Sequence, residues 1–136
     1  MQFDSKIAVV LRADLAGWQR TNVTAFLVSG IAATEPTVVG EPYSDASGNR
    51  YLPMFRQPVL VFEADRDGIR RAYDRAMRRE LELAVFTAEL FSTGHDEANR
   101  DAVAGVRADA LDLVGIALRA DRKQVDRVVD GLPLHP

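Results

Sequence analysis

The chain has 136 residues, a net charge of −3 and a pI near 5.4, with 47% hydrophobic and 27% charged residues. That is the balance of one ordinary globular domain, and it offers no global attraction to polyanions such as nucleic acid. Cysteine is absent, which excludes disulfides, a thiolate nucleophile and a cysteine-ligated zinc.

The longest apolar run, Ala25 to Ala33, is too short to span a bilayer. Met1 to Lys6 shows no basic stretch followed by an apolar one, so no signal peptide is expected. A cytoplasmic location and no membrane association follow as expectations.

Lys6 to Arg12 is a continuous apolar run with β-branched residues, which predicts a strand buried on both faces of a sheet. Leu15 to Trp18 is expected to turn the chain. Thr21 or Asn22 is then expected to cap a helix running to about Ala33. Val23, Phe26, Leu27, Gly30 and Ile31 form its stripe, and Ala25, Val28 and Ala32 widen that stripe, so the helix is expected to be deeply packed. Thr37 to Gly40 reads as a short edge strand. Glu41 to Arg50 is dense in turn formers and reads as an exposed loop or irregular hairpin.

Tyr51 to Phe55 leads through Arg56-Gln57-Pro58 to a second strand, Val59 to Glu63. Arg66 to Glu80 is an amphipathic helix with Ile69, Ala72, Tyr73, Ala76 and Met77 on one stripe. Leu83 to Thr87 is a third strand, Asp96 to about Val106 a weaker helix, and Leu111 to Leu118 a fourth strand. Asp121 is expected to cap a last helix that stops near Gly131-Leu132-Pro133. This order predicts an α/β fold: one domain over residues 1–136, in three α/β/α layers around a mixed, mainly four-stranded sheet.

In open α/β sheets ligands gather beyond the carboxyl ends of the strands. That rule selects Arg12-Ala13-Asp14 after the first strand and Thr87-Ala88-Glu89 after the third. Trp18, Asn22 and Arg56-Gln57 join them if strand and loop directions cooperate. The competing reading pairs Arg12 with Asp14 inside the fold and gives Arg56 and Gln57 the task of fixing their own loop. On Arg66 to Glu80, Asp67–Arg71, Arg70–Asp74 and Asp74–Arg78 are i, i+4 pairs, so this helix reads as a charge-laced solvent face, not a nucleic-acid surface.

Phe91 to Arg100 holds His95, Asp96, Glu97 and Asn99. His95 and Asn99 have helical metal spacing, but asparagine is a poor ligand and His135 is expected at a frayed terminus, so no metal site is predicted. No Gly-x-Ser-x-Gly elbow, Walker loop or Gly-x-Gly-x-x-Gly loop is present, and no cofactor is expected. Capping by Thr93 or Asp96, with Asp96 and Glu97 complementing the positive helix end, accounts for most of the polarity.

Lys6 to Leu15, Asn22 to Phe26, Tyr51 to Pro58 and Thr93 to Asn99 together resemble a bacterial family catalogued as domain of unknown function 2000. That family in turn resembles a branch of the type 2 peptidyl-tRNA hydrolase fold. The link lies in the first strand with its Arg-x-Asp-Leu ending, Arg12 to Leu15. It lies also in the last strand, helix and closing Leu-x-Leu, Leu113 to Leu134. The resemblance implies the fold more than the activity. Arg20 stands near those hydrolases' lysine, while Thr24 and Leu27 stand near their glutamine and histidine. Asp112 stands near their last-strand threonine, and Thr87 to Asn99 replaces their Asp-Ala-Gly turn.

Two functions are expected to compete. One is a small-ligand-binding or regulatory module whose cleft of Arg12, Asp14, Trp18, Asn22, Arg56, Gln57 and His95 holds an anionic or amide-bearing molecule. The other is a hydrolase of peptidyl- or aminoacyl-linked substrates with His95 as general base. A homodimer covering an apolar helix face is a further alternative.

Overall fold

The computed structural model describes residues 3–136. In chain order the elements are β1 (Ser5–Arg12), α1 (Gly17–Thr34), β2 (Tyr43–Ser44), β3 (Arg50–Tyr51), β4 (Val59–Ala64), α2 (Arg66–Arg78), β5 (Ala84–Thr87), α3 (Asp96–Ala104), β6 (Leu113–Asp121) and α4 (Arg122–Val128). Four strands form one mixed sheet in the order β4-β1-β6-β5, with β1 and β4 parallel and the other two pairings antiparallel. β2 and β3 make a separate exposed hairpin.

β1 is buried on both faces from Ile7 to Arg12, as its unbroken apolar run predicts. Ile7, Val9 and Leu11 pack under α1 with Val23, Leu27 and Ile31. Ala8 and Val10 face α2 and α4, with Ile69, Ala72, Tyr73, Val125 and Val128. The sheet therefore carries helices on both faces. α1 approaches β6 so closely that a Cβ on Gly115 would meet Val23 Cγ1 at 2.6 Å, which is why the strand has a glycine there.

The helix α1 departs from expectation at its start. It begins at Gly17, not after Thr21 or Asn22. Gln19 Oε1 accepts from the Ala16 N–H, and the Thr21 and Thr24 hydroxyls donate back to carbonyls of the preceding turn. Hydroxyls that bond backward sit comfortably within a helix, so threonine was a misleading start signal.

α1 is also less covered than its composition suggests. Phe26 is 54% exposed, and Ala25, Ser29 and Gly30 lie on the same open face.

Thr37 to Gly40 is not a strand. Pro36–Val38 form a 3-10 turn, and only Val39 makes a bridge, to Phe55. β6 starts later than expected and runs on to Asp121, because pairing with Ser5 through Leu11 carries it past its last large apolar residue. Asp121 stands at the α4 N-cap position without a side-chain capping bond. Among the described residues no helix is long and apolar enough to cross a membrane.

Candidate functional site

The strand directions divide the expected cleft in two. β1 spans about 23 Å from its first residue to its last at roughly 3.3 Å per residue. Arg12 and Asp14 follow its carboxyl end. Because β4 runs parallel to β1, Arg56 and Gln57, which precede β4, lie at the amino end instead. One small molecule does not bridge both, so the single cleft combining Arg12 with Arg56 and Gln57 is corrected to two separate groups.

At the carboxyl end Arg12 is almost enclosed, with 11% of its side chain exposed. Its Nε donates to Asp14 Oδ1 at 2.8 Å, and its Nη1 donates to Asp112 Oδ1 at 2.7 Å and to the Leu113 carbonyl at 3.2 Å. A guanidinium tolerates such burial only when acceptors meet it. The hydrogen bond to Asp14 outweighs desolvation and raises the Arg12 pKa. The same bond holds the Asp14 carboxyl below its ordinary range. Arg66 Nη1, on the first turn of α2, donates to the same Asp112 oxygen at 3.2 Å.

Next to this chain Arg20 forms a second brace. Its Nε donates to the Leu15 carbonyl at 2.9 Å, its Nη1 to Glu63 Oε2 at 2.9 Å, and its Nη2 to the Ala13 carbonyl. His135 Nε2 lies 2.5 Å from Arg20 Nη1 and must accept, since a guanidinium has no lone pair to offer. His135 is not at a frayed end. Its N–H donates to the Val61 carbonyl at 2.8 Å, and the Glu63 N–H donates to the Pro133 carbonyl at 3.0 Å, so Pro133 to His135 line the free edge of β4.

A cavity of about 280 Å³ opens beside Asp112, lined by Arg66, Asp67, Arg70 and Asp109. Arg70 Nη2 donates to the Ala108 carbonyl at 2.6 Å, and its guanidinium sits 4.8 Å from the centre of the Tyr73 ring. Its Nη1 is buried with no acceptor among the described residues. Arg70 pairs loosely with Asp74, at 3.6 Å, as the i, i+4 reading of α2 anticipates.

The other expected site residues are dispersed. Trp18 is 65% exposed and meets Phe91 edge-on at 5.9 Å between ring centres. Asn22 is exposed on α1. His95 is exposed and is itself the α3 N-cap, its Nδ1 accepting from the Ala98 N–H at 3.2 Å. The capping role expected of Thr93 or Asp96 therefore belongs to His95. Its ring nitrogen is occupied by its own helix, not by Arg12, Asp14 or Arg56.

At the amino end Gln57 Nε2 donates to the Ser5 carbonyl at 3.0 Å, and the Ser5 hydroxyl donates to Gln57 Oε1 at 3.3 Å. Arg56 Nη1 makes one long contact, 3.4 Å, to the Thr37 carbonyl. Among the described residues no group of three or more His, Asp or Glu converges as a metal site would require.

Comparison with known proteins now adds a family. A family model described as protein of unknown function (DUF2000) matches residues 5–136. The chain belongs to the DUF2000 family. A solved structure of a protein of unknown function from Agrobacterium tumefaciens is 47% identical to this DUF2000 chain, with a TM-score of 0.97 over 99% of this chain and 100% of that one. No curated protein matches. Of the carboxyl-end residues in this DUF2000 protein, Arg12 and Asp14 stand out from position alone, and Arg20 and Asp112 only through the hydrolase resemblance. Arg66 and Arg70 read as part of a solvent face, His135 as a frayed terminus and Glu63 as a strand end, because nothing local shows that the assembled elements bring them to this end of the sheet.

Proposed function

We propose that this chain is a small-ligand-binding or regulatory module on a type 2 peptidyl-tRNA hydrolase-like fold, with its ligand at the carboxyl end of β1. The observation that carries the reading is the Arg12–Asp112–Arg66 relay, which reaches from the buried end of β1 to the rim of a 280 Å³ cavity where Arg70 keeps a buried donor unanswered. Unpartnered buried N–H groups are costly, and a ligand oxygen is one way to meet them.

Donors from Arg66 and Arg70 alternate with acceptors from Asp67, Asp109 and Asp112 around this cavity. That alternation suits an amide group, which presents both a carbonyl and an N–H, better than a simple polyanion, which the carboxylates repel. The hydrolase-like fold is supported by the Arg-x-Asp-Leu ending of β1 at this site and by the closing Leu132-Pro133-Leu134 segment laid against β4. Hydrolysis through His95 has no comparable support, since its ring caps α3.

Thermal-shift measurements with N-acetyl amino-acid amides test the reading. A probe at one hundred times its Kd adds about 2.7 kcal/mol of stability, enough to move the melting temperature by several degrees. Arg66→Ala should flatten that response with little loss of unliganded stability, because its side chain is 70% exposed. An unchanged response in Arg66→Ala and Asp112→Asn, or no response to any amide, removes the proposal.

A further inference from the structure

The opposite end of the sheet holds a second polar cavity, also of about 280 Å³, where the last residues of β6 come beside the start of β1. Arg56, Gln57 and Arg119 line it, together with Ser5, Asp4 and Asp121. Its size lies near the lower limit for small-molecule sites, about 300 Å³, which restricts any occupant to a few heavy atoms.

The cations here are poorly partnered. Arg119 finds its nearest carboxylate, Glu35, at 3.9 Å, and its Nε is buried with no acceptor among the described residues. Arg56 has only its long contact to the Thr37 carbonyl. The wall between them is fixed, because Gln57 and Ser5 bond each other twice. Asp4 and Asp121 are exposed at the same cavity and supply two negative charges.

A simple anion placed there meets two aspartates, and a simple cation meets two arginines. A molecule that carries both signs a few ångströms apart satisfies both sets, and carboxylate on guanidinium is a strong directional pairing.

We propose that this cavity binds a small zwitterion, an α-amino acid or close analogue, with its carboxylate on Arg119 and Arg56 and its ammonium group on Asp121 and Asp4. This site is separate from the carboxyl-end cavity and does not rest on the function proposed for it.

The test is a titration of the ¹⁵N-labelled full chain followed by amide chemical shifts, with L-alanine, L-serine, propionate and ethylamine as probes. An amino acid should give saturable shifts at Ser5, Gln57 and Arg119, with propionate and ethylamine binding at least tenfold more weakly. Arg119→Gln should abolish the shifts, and Asp121→Asn should reduce alanine to the affinity of propionate. Arg56→Gln provides the same readout if Arg119→Gln does not fold. Propionate binding as tightly as alanine, wild-type binding in the arginine variants, or no saturable shift with any amino acid overturns the proposal.

Discussion

Arg12 and Arg20, at the carboxyl end of β1, and Arg56 and Arg119, at its amino end, are partnered in opposite ways. At the carboxyl end Arg12 and Arg20 are surrounded by carboxylates and carbonyls at 2.7–3.2 Å, and the C-terminal segment is tied into the same network. At the amino end Arg56 and Arg119 sit beside a cavity with contacts no shorter than 3.4 Å. The difference teaches that a buried arginine is not by itself a binding residue. Where acceptors of the fold complete its geometry it braces the structure, and where they do not, as at Arg119 Nε, a buried donor is left open.

The sharpest way to break this comparison is to remove the brace. Arg12→Met should be the most damaging of these changes, because it leaves the Leu113 carbonyl without its donor and Asp112 with Arg66 alone. Breaking a fully buried ion pair costs about 3–5 kcal/mol, and the value here should fall towards the low end because Asp112 and Asp14 still reach water. Urea unfolding measures it. A loss below about 1 kcal/mol would show that the network is decorative and would erase the contrast between the two ends.

A smaller effect isolates the second brace. In a double-mutant cycle of Arg20→Met and Glu63→Gln, the coupling energy should lie within about 0.5–3 kcal/mol, since the pair is 2.9 Å apart with side chains only 21% and 26% exposed. A coupling indistinguishable from zero would place Arg20 with the loosely held arginines of the other end.

Acid titration sharpens the same point. Asp14 has a folded pKa below its unfolded one, so its pairing with Arg12 adds stability above the ordinary aspartate range, near about pH 4. That contribution is lost as the pH falls through the lower folded value. Asp14→Asn should therefore flatten part of the stability decline below about pH 4 while leaving neutral-pH folding intact. The change will be modest, because the Asp14 side chain is 65% exposed and solvent screens the pair. An acid profile identical to wild type would remove Asp14 from the brace.

Much of the fold was legible in the chain because period and burial agree there. β1 reads as a doubly buried strand and is one, and of the expected α2 stripe Ile69, Ala72, Tyr73 and Ala76 pack while Met77 is half exposed. The start of α1 was not legible, because Thr21 and Thr24 offer the same hydroxyls whether they cap a helix or bond backward within it. The site was half legible. Arg12 and Asp14 are neighbours in sequence, so their pairing follows from β1 alone. Asp112 and Arg119 lie a hundred residues away from their partners in β1, and only the antiparallel register of β6 brings them to opposite ends of the same strand. The parallel pairing of β4 with β1 explains why Arg56 does not join Arg12, and no local pattern encodes that direction.

The smallest expected effect is the most discriminating for the amino end. Arg56→Ala removes one long contact from an exposed side chain, so its stability should change by no more than about 0.5 kcal/mol in either direction. An arginine that braced its loop, as Arg12 braces β1, would instead leave the Thr37 carbonyl unmatched and loosen the turn that begins at Pro36. Urea unfolding of Arg56→Ala beside Arg12→Met, under one buffer, compares the two directly. If Arg56→Ala costs as much as Arg12→Met, both arginines are structural and the amino-end cavity loses its loosely held cation. If it costs almost nothing, Arg56 does not brace its loop, and its guanidinium stays loosely held beside the amino-end cavity.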